Sequence, residues 1–586
     1  MPEIKIRGTG ETIICEQGSR LLQALLANGV FVDNPCNGTG VCGKCKVRVL
    51  EIEDNNHGAV SAMTETERQM LKPEEISGGI RLSCMTNVYG DIQVELLQKE
   101  RKHRVLTGGY MPQFEPDSFD GGYGVAVDIG TTTVAMALID LATGEEVASA
   151  SDINAQKHFG LDVLTRITYE YDHGEDGIWE LQKAIVDSLN GMLDDMCEKA
   201  DVALSAGKGD GGAVKNCRNR IREIVVAANC TMTHMLLGVD ARSIGRAPYA
   251  PVFKEAQVRL ASEIGLHAAE DTTVYCLPQV SSYIGADIVA GAYVCEMEKQ
   301  TGNVLFIDIG TNGEIVLASG GKLLSCSCAA GPALEGMNIS CGMRAADGAI
   351  EDIRMKADGV EIAVIGGGEP AGLCGSGILA AVRELIQNGF LKKTGAFVQV
   401  ETLAEDDWKR KVLRNEAAAD MNRDGDGEAE TAGARRTAKT AKREAVIWAQ
   451  TEAGESAGEQ NEILVTQDDV RQVQLAKGAI LSGFTALLKT AGIGMNDLDQ
   501  VLIAGQFGAH LPAESLAGVG ILPVEVKEKI VYVGNSSKTG AYMALMSKQA
   551  RRDMEALAEK IDYFELAETN DYERVFAECM RFPVAR

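Results

Sequence analysis

The tetrapeptide Asp-Ile-Gly-Thr occurs twice, as Asp128-Ile129-Gly130-Thr131 and as Asp308-Ile309-Gly310-Thr311, 180 positions apart. Each copy closes an apolar run, Gly124–Val127 or Val304–Ile307. Each is followed by a second, Thr133–Asp140 or Glu314–Ala318. Strand, glycine turn and return strand make a β-hairpin. A hairpin repeated at this distance implies the duplication of an α/β unit. Helical patterns over about 161–200 and 283–297, with strands near 223–228 and 273–277, fill the first unit. A helix over about 468–491 and the strands Gln500–Ala504 and Lys529–Val533 end the second.

The 586 residues suit three or four domains. Residues 1–98 alternate in strand fashion at both ends, Glu3–Arg7 and Ile92–Leu96, around a short helix, Ser19–Leu26, and a further strand, Lys46–Leu50. Residues 99–122, charged and then rich in Gly and Pro, read as a linker. The two units then occupy 123–300 and 301–586. Within the second, 405–460 is polar and rich in Ala and Gly, and is expected to be a flexible insertion. Its Asp420–Glu428 imitates the start of a calcium loop. Position twelve is Thr431 instead of Glu, and no flanking helices are evident, so calcium is not expected.

The first domain carries Cys36-Asn37-Gly38-Thr39-Gly40-Val41-Cys42-Gly43-Lys44-Cys45, with Cys84 downstream. The spacing is C-x5-C-x2-C, then 38 residues, then C. Three thiolates in one tight loop and a fourth from a distant turn suit a [2Fe-2S] cluster. Gly38, Gly40 and Gly43 leave amide N–H groups free to face the sulfurs. Structural zinc is a competing reading, but such sites usually pair two C-x2-C knuckles. The literal G-x-G-x-x-G match of Gly38–Gly43 lacks the strand before it and the helix after it that a dinucleotide loop needs. The loop is one residue longer than the plant type and is similar to hydroxylase-type ferredoxins. Cys326, Cys328, Cys341 and Cys374 read as small buried residues.

The repeated hairpins carry phosphate chemistry. A glycine at the turn lets backbone amides approach phosphate oxygens, and threonine hydroxyls add donors. Gly130, Thr131, Thr132 and Thr133 form the first such loop; Gly310, Thr311, Asn312, Gly313 and Glu314 form the second. Asp128 and Asp308, at the strand ends, suit magnesium binding through water or orientation of the attacking water. A third element, Val501–Ala504, opens into Gly505-Gln506-Phe507-Gly508, where glycine allows close approach of adenine or ribose. No G-x4-G-K-[ST] sequence occurs, which excludes a P-loop ATPase.

These three elements resemble the phosphate-1, phosphate-2 and adenosine motifs of the actin, sugar-kinase and heat-shock ATPase superfamily. The resemblance implies an α/β fold of two ribonuclease-H-like lobes, with ATP and Mg2+ in the cleft and Asp128 and Asp308 as catalytic carboxylates. Fusion to a ferredoxin domain, which the resemblance makes an α+β β-grasp, narrows the family to the reductive activators of corrinoid proteins. Further stretches support this: Asn154-Ala155-Gln156, Gly160–Ile167, Ala228–His234, Gly331–Gly336 and Leu373-Cys374-Gly375-Ser376-Gly377. Gly331, Gly375 and Gly377 join the expected nucleotide site on this basis, and Cys36, Cys42, Cys45 and Cys84 the cluster. The implied activity is ATP-dependent transfer of an electron from the cluster to cobalt, Co(II) to Co(I). The implied partner is a corrinoid protein of a methyltransferase or acetyl-CoA pathway system. An upstream low-potential donor is also implied, and a homodimer is compatible with the sequence. Two alternatives stay open: an activator of another metalloenzyme, such as a 2-hydroxyacyl-CoA dehydratase, and a redox-regulated small-molecule kinase.

The net charge of −27 argues against nucleic acid and anionic membrane surfaces. No run of 18 apolar residues and no signal layout are found, so a cytoplasmic protein is expected. Fifteen cysteines spread through such a chain then read as thiols and metal ligands, not disulfides. His234 precedes Met235-Leu236-Leu237 and reads as a core histidine at a helix start, in preference to an approach to cobalt or to a partner carboxylate.

Overall fold

The computed structural model describes residues 1–7, 12–28, 30, 32, 45–51, 58–96, 110–160, 162–206, 216–415, 443–449, 462–505, 508, 511–569 and 571–583. The first domain is a sheet of β1 (Glu3–Ile6), β2 (Thr12–Ile14), β3 (Lys46–Glu51), β4 (Ile80–Leu82) and β5 (Ile92–Leu96), in the order β2-β1-β5-β3-β4. The two ends of the domain, β1 and β5, lie parallel in the middle, which is the β-grasp plan. Their alternation puts Ile4, Ile6, Ile92 and Val94 on the buried face, against Leu21, Leu22 and Leu25 of the helix Leu21–Ala27. Glu67 is fully buried there and accepts hydrogen bonds from Arg81 Nε at 2.9 Å and Leu82 N at 3.2 Å. Those donors hold its carboxylate below the usual range although burial works the other way.

The first lobe contains β6 (Tyr123–Ile129), β7 (Thr133–Asp140), β8 (Glu146–Ile153), β9 (Ile221–Ala228), β10 (Gln257–Leu260) and β11 (Thr273–Cys276), ordered β10-β11-β9-β6-β7-β8. The second contains β12 (Val304–Ile309), β13 (Gly313–Ser319), β14 (Lys322–Cys328), β15 (Ala349–Lys356), β16 (Gly359–Val364), β17 (Gly372–Leu373), β18 (Leu413–Asn415), β19 (Arg443–Ala449), β20 (Glu462–Thr466), β21 (Gln500–Ala504), β22 (Ile530–Gly534) and β23 (Ile561–Tyr563). Its main sheet runs β22-β21-β12-β13-β14-β23, and β15–β17 and β18–β20 form two small sheets beside it. In both lobes a three-stranded meander continues through parallel strands, β6-β9-β11 and β12-β21-β22. This is the ribonuclease-H-like plan that the repeated tetrapeptide implies. Strands β6 and β12 are apolar over nearly their whole length because both faces of each sheet are covered.

The repeat is not perfect. In the first hairpin Asp128 pairs with Ala135, and in the second Asp308 pairs with Glu314. The second turn is one residue tighter: Gly310 N bonds Asn312 O, whereas Gly130 N bonds Thr133 O, each at 2.9 Å.

One apolar core is common to the two lobes. It joins Ala126, Val225 and Tyr275 of the first to Phe306, Leu502 and Ala504 of the second through the helices Ala286–Val294 and Ser536–Met546. These helices cross closely, and a Cβ on Gly540 would meet Ala290 Cβ at 2.6 Å.

Two expectations need correction. The expected flexible insertion, 405–460, contains the helix Lys409–Val412, β18 and β19. Ala445 and Ile447 of β19 are buried in the second lobe's core beside Ile463 and Val465. Average composition hid a seven-residue alternating strand. The imitation calcium loop lies outside the described residues. In the expected linker, Tyr110 N bonds Val533 O at 2.9 Å and Asp117 N bonds Met546 O at 2.7 Å. Residues 110–117 therefore lie along the helix Ser536–Met546 as a docked strap, while 97–109 lie outside the described residues. The helix Gln467–Ala491 matches the expected span within a residue, and the long helix Val163–Ala206 is broken at Gly174, where φ is 61°.

Candidate functional site

The ends of β6 and β12 meet across the cleft. Thr132 Oγ1 lies 2.8 Å from Thr311 Oγ1, and Thr311 donates to Glu335 Oε1 at 2.7 Å. Glu335 also takes a hydrogen bond from Thr132, so one carboxyl ties the two loops. Burial raises its pKa, and the hydroxyls only partly offset that rise. Gly331, with φ at 76°, bonds Thr311 O through its N–H at 2.8 Å and has open space where a side chain would stand.

The two aspartates sit in unlike surroundings. Asp128 accepts from Asn535 Nδ2 at 2.8 Å and from Ser537 Oγ at 2.7 Å, both at the start of the helix Ser536–Met546. Burial raises its pKa against these donors. The residue matching Ser537 at the start of the other crossing helix is Asp287. Burial first, then the Asp128 charge, pushes Asp287 up to about 7. Burial together with Asp287 and Asp128 pushes Asp308 up to about 8. Glu314, on the same face of the hairpin as Asp308, is raised well above the carboxylate range by burial and by both neighbours. The first half-site holds its carboxylate with neutral donors. The second gathers buried carboxyls that resist ionising without a cation.

Magnesium fits this arrangement in one way. Among the described residues no three His, Cys, Asp or Glu side chains form a ready-made cage. An ion that keeps its waters and takes phosphate oxygens needs only one or two carboxylates, and Asp308 and Asp287 are suited to that. Arg166 lies beneath the first loop, wholly buried. It donates to Thr131 O at 2.5 Å and Gly160 O at 2.9 Å. Burial lowers its pKa to about 10. Its charge therefore rests mainly on neutral acceptors, directly under a loop that would hold phosphate.

The expected glycines divide by role. Gly505, with φ at 94°, and Gly508 pack against Asp308 and Ile309, so the β21 turn backs onto the second hairpin. Gln506 lies outside the described residues. A Cβ on Gly375 would meet Leu334 O at 1.9 Å and one on Gly377 would meet Ile350 O at 2.0 Å. Both let the helix Gly375–Gln387 approach neighbouring backbone. A Cβ on Gly313 would meet Cys328 Sγ at 2.8 Å. His234 is buried, accepts from Val252 N at 3.1 Å and stacks on Phe253, which fits a core histidine.

In the first domain Cys45 and Cys84 are buried with their sulfurs 3.2 Å apart, one leading into β3 and the other in the turn after β4. Two thiols from distant segments facing each other fit half of a four-thiolate [2Fe-2S] cage. Cys36 and Cys42 lie outside the described residues.

Three family models match the chain: a 2Fe-2S iron-sulfur cluster binding domain over 4–89, the RACo middle region over 123–300, and the C-terminal ASKHA domain of RACo over 302–424 and 415–586. The corrinoid activation enzyme RamQ of Eubacterium limosum is 31% identical over 470 residues, covering 80% of this chain and 72% of that protein. The chain belongs to the RACo family. A second family relative, the [Co(II) methylated amine-specific corrinoid protein] reductase of Methanosarcina barkeri, is 24% identical over 75% of this chain and 73% of its own. The solved structure of a reductive activator for a corrinoid, iron-sulfur protein aligns with a TM-score of 0.67 at 27% identity, covering 100% of this chain and 99% of that one. ATP, Mg2+ and a [2Fe-2S] cluster are accordingly the cofactors of this RACo-family chain. Among its described residues no helix is long and apolar enough to cross a membrane.

Sequence reasoning did not assign Asp287, Asn535, Ser537, Glu335 or Arg166 to the site. Glu335 and Arg166 lie in stretches already singled out. The other three follow from carrying the internal repeat through to the helix after its last parallel strand.

Proposed function

We propose that the chain uses ATP to make electron delivery to a corrinoid protein effectively one-way, taking cobalt from Co(II) to Co(I). What carries this reading is the pairing, in one chain, of facing buried thiols with two phosphate hairpins joined through Glu335. The bound cluster supplies a low-potential electron. Each 59 mV of uphill one-electron transfer costs about tenfold in the equilibrium, so a favourable coupled reaction is needed.

The residues divide that work. Thr131–Thr133 and Thr311–Gly313 offer amides and hydroxyls to the phosphates. Asp287 and Asp308, whose burial together disfavours ionisation, would hold Mg2+ through water. Asp128, held by Asn535 and Ser537, is anchored to orient the attacking water. Arg166 offsets phosphate charge from below. Cys36, Cys42, Cys45 and Cys84 hold the cluster. The partner is a corrinoid protein, and an upstream low-potential donor reloads the cluster.

The test supplies ATP, Mg2+, a strong reductant and corrinoid proteins purified from the same cell. The Co(I) absorption should rise only when ATP and the cluster-loaded chain are both present. Transfer of labelled γ-phosphate to a small acceptor, with no cobalt reduction in any of those proteins, would instead establish a kinase.

A further inference from the structure

Outside the residues of both sites, Cys197 Sγ and Cys217 Sγ lie 2.7 Å apart. That is between the covalent S–S length of about 2.05 Å and ordinary sulfur contact. Among the described residues the other close thiol pair is Cys45–Cys84, which the cluster explains. The 197–217 pair has no such explanation. Cys197 sits on the helix Val163–Ala206, and Cys217 precedes the turn Arg218–Arg220 that leads into β9. The pair is clamped by Arg218. Its Nε bonds Asp194 Oδ1 at 2.7 Å and its Nη2 bonds Asn190 O at 2.6 Å, both on the same helix, and its Nη1 bonds His267 O. Arg218 thus ties the turn that follows Cys217 to the helix that carries Cys197.

We infer that Cys197 and Cys217 form a reversible dithiol/disulfide couple, a redox modification site in the first lobe. The two thiols have different roles. Cys197 is the more accessible, at 6% exposure against 1%. The Arg218 guanidinium beside it also favours its thiolate. Cys197 is therefore the attacking thiolate. It displaces one thiol from a low-molecular-weight disulfide and forms a mixed disulfide. Cys217 attacks that bond and displaces the second thiol. Two protein S–H bonds and one small S–S bond are exchanged for one protein S–S bond and two small thiols, so protons and electrons balance. The product ties the helix to the strand whose far end, Ala228-Asn229, abuts the first phosphate hairpin.

The experiment uses the cluster-loaded full chain, equilibrated without oxygen in mixtures of oxidised and reduced glutathione. It is quenched by alkylation under denaturing conditions and mapped without reduction. A linked Cys197–Cys217 peptide should appear and vanish as the mixture becomes reducing, its midpoint scaling with [thiol]²/[disulfide]. Cys217→Ser should trap glutathione on Cys197, while Cys197→Ser should leave Cys217 unmodified. The oxidised form should melt roughly 5–10 °C higher, as expected for closing a loop of this size. Recovery of both cysteines only as alkylated thiols, while the cluster spectrum reports a folded chain, overturns the inference. So does a linked peptide that excess dithiothreitol cannot open in the folded protein.

Discussion

A methyl group placed on Gly505 would meet Asp308 Oδ1 at 2.5 Å. The β21 turn thus sets the position of the second half-site's carboxylate, at a φ of 94° that a side chain disfavours by roughly 1–2 kcal/mol. Gly505→Ala should weaken Mg-ATP binding at least tenfold by calorimetry. The cluster's visible spectrum, which belongs to residues 1–98, should be unchanged.

Asp308→Asn is isosteric and replaces a carboxyl that must take up a proton to be buried beside Asp287, Asp128 and Glu314. It should abolish ATP-driven cobalt reduction yet raise the melting temperature of the nucleotide-free protein at neutral pH, as expected where function keeps ionisable carboxyls buried together. Asp128→Asn should also stop turnover, but without the stabilisation, because Asp128 is already satisfied by Asn535 and Ser537.

The same carboxyls set a pH dependence. Their folded pKa values, about 7 for Asp287 and about 8 for Asp308, lie above the unfolded value near 4. The folded state binds more protons in that window, so the stability of the nucleotide-free protein should fall as pH rises from about 4 to about 8. Bound Mg-ATP should flatten the slope, and its affinity should rise over pH 6–8 with proton release. Melting curves with and without nucleotide measure both. Glu67 has the opposite sign: its depressed pKa stabilises the first domain above about pH 4, and that contribution is lost as pH falls through the folded value.

Arg166→Met replaces a buried cation by an apolar chain of similar length. Nucleotide affinity should drop about tenfold or more, with Arg166→Lys recovering part of it. Equal losses in both variants would count against a role for the charge.

Replacing 416–442 with a short Gly/Ser linker should preserve folding and ATP hydrolysis. Extending the replacement to 410–458 removes β18 and β19 with Ala445 and Ile447, and should lower the melting temperature sharply. Cys84→Ser should lose the cluster and still bind ATP.

Much of this was legible in the sequence, for identifiable reasons. The hairpins at Asp128 and Asp308 announced themselves because a buried strand has few ways to end in a phosphate turn. The cysteine loop did so because four thiolates at that spacing have few other uses. Asp287 and Ser537 were not legible. Each is an ordinary residue at a helix start, and only the three-dimensional repeat shows that they occupy equivalent places. β19 was missed because it sits between polar tracts whose composition dominates any average over the segment. The one-residue difference between the hairpins was written in Thr132-Thr133 against Asn312-Gly313, but its effect on pairing appears only in the register.

The common core also bears on how the protein is made. Helix Ser536–Met546 packs under β6 and β9, and Asn535 and Ser537 complete the Asp128 site more than 400 residues after the chain has passed it. A ribosome adding about 5–20 residues per second emits the first lobe long before the helix that covers it. The nascent first lobe must wait tens of seconds with an apolar sheet face uncovered, so slow synthesis, early termination or loss of the last fifty residues should expose that face to chaperones and aggregation.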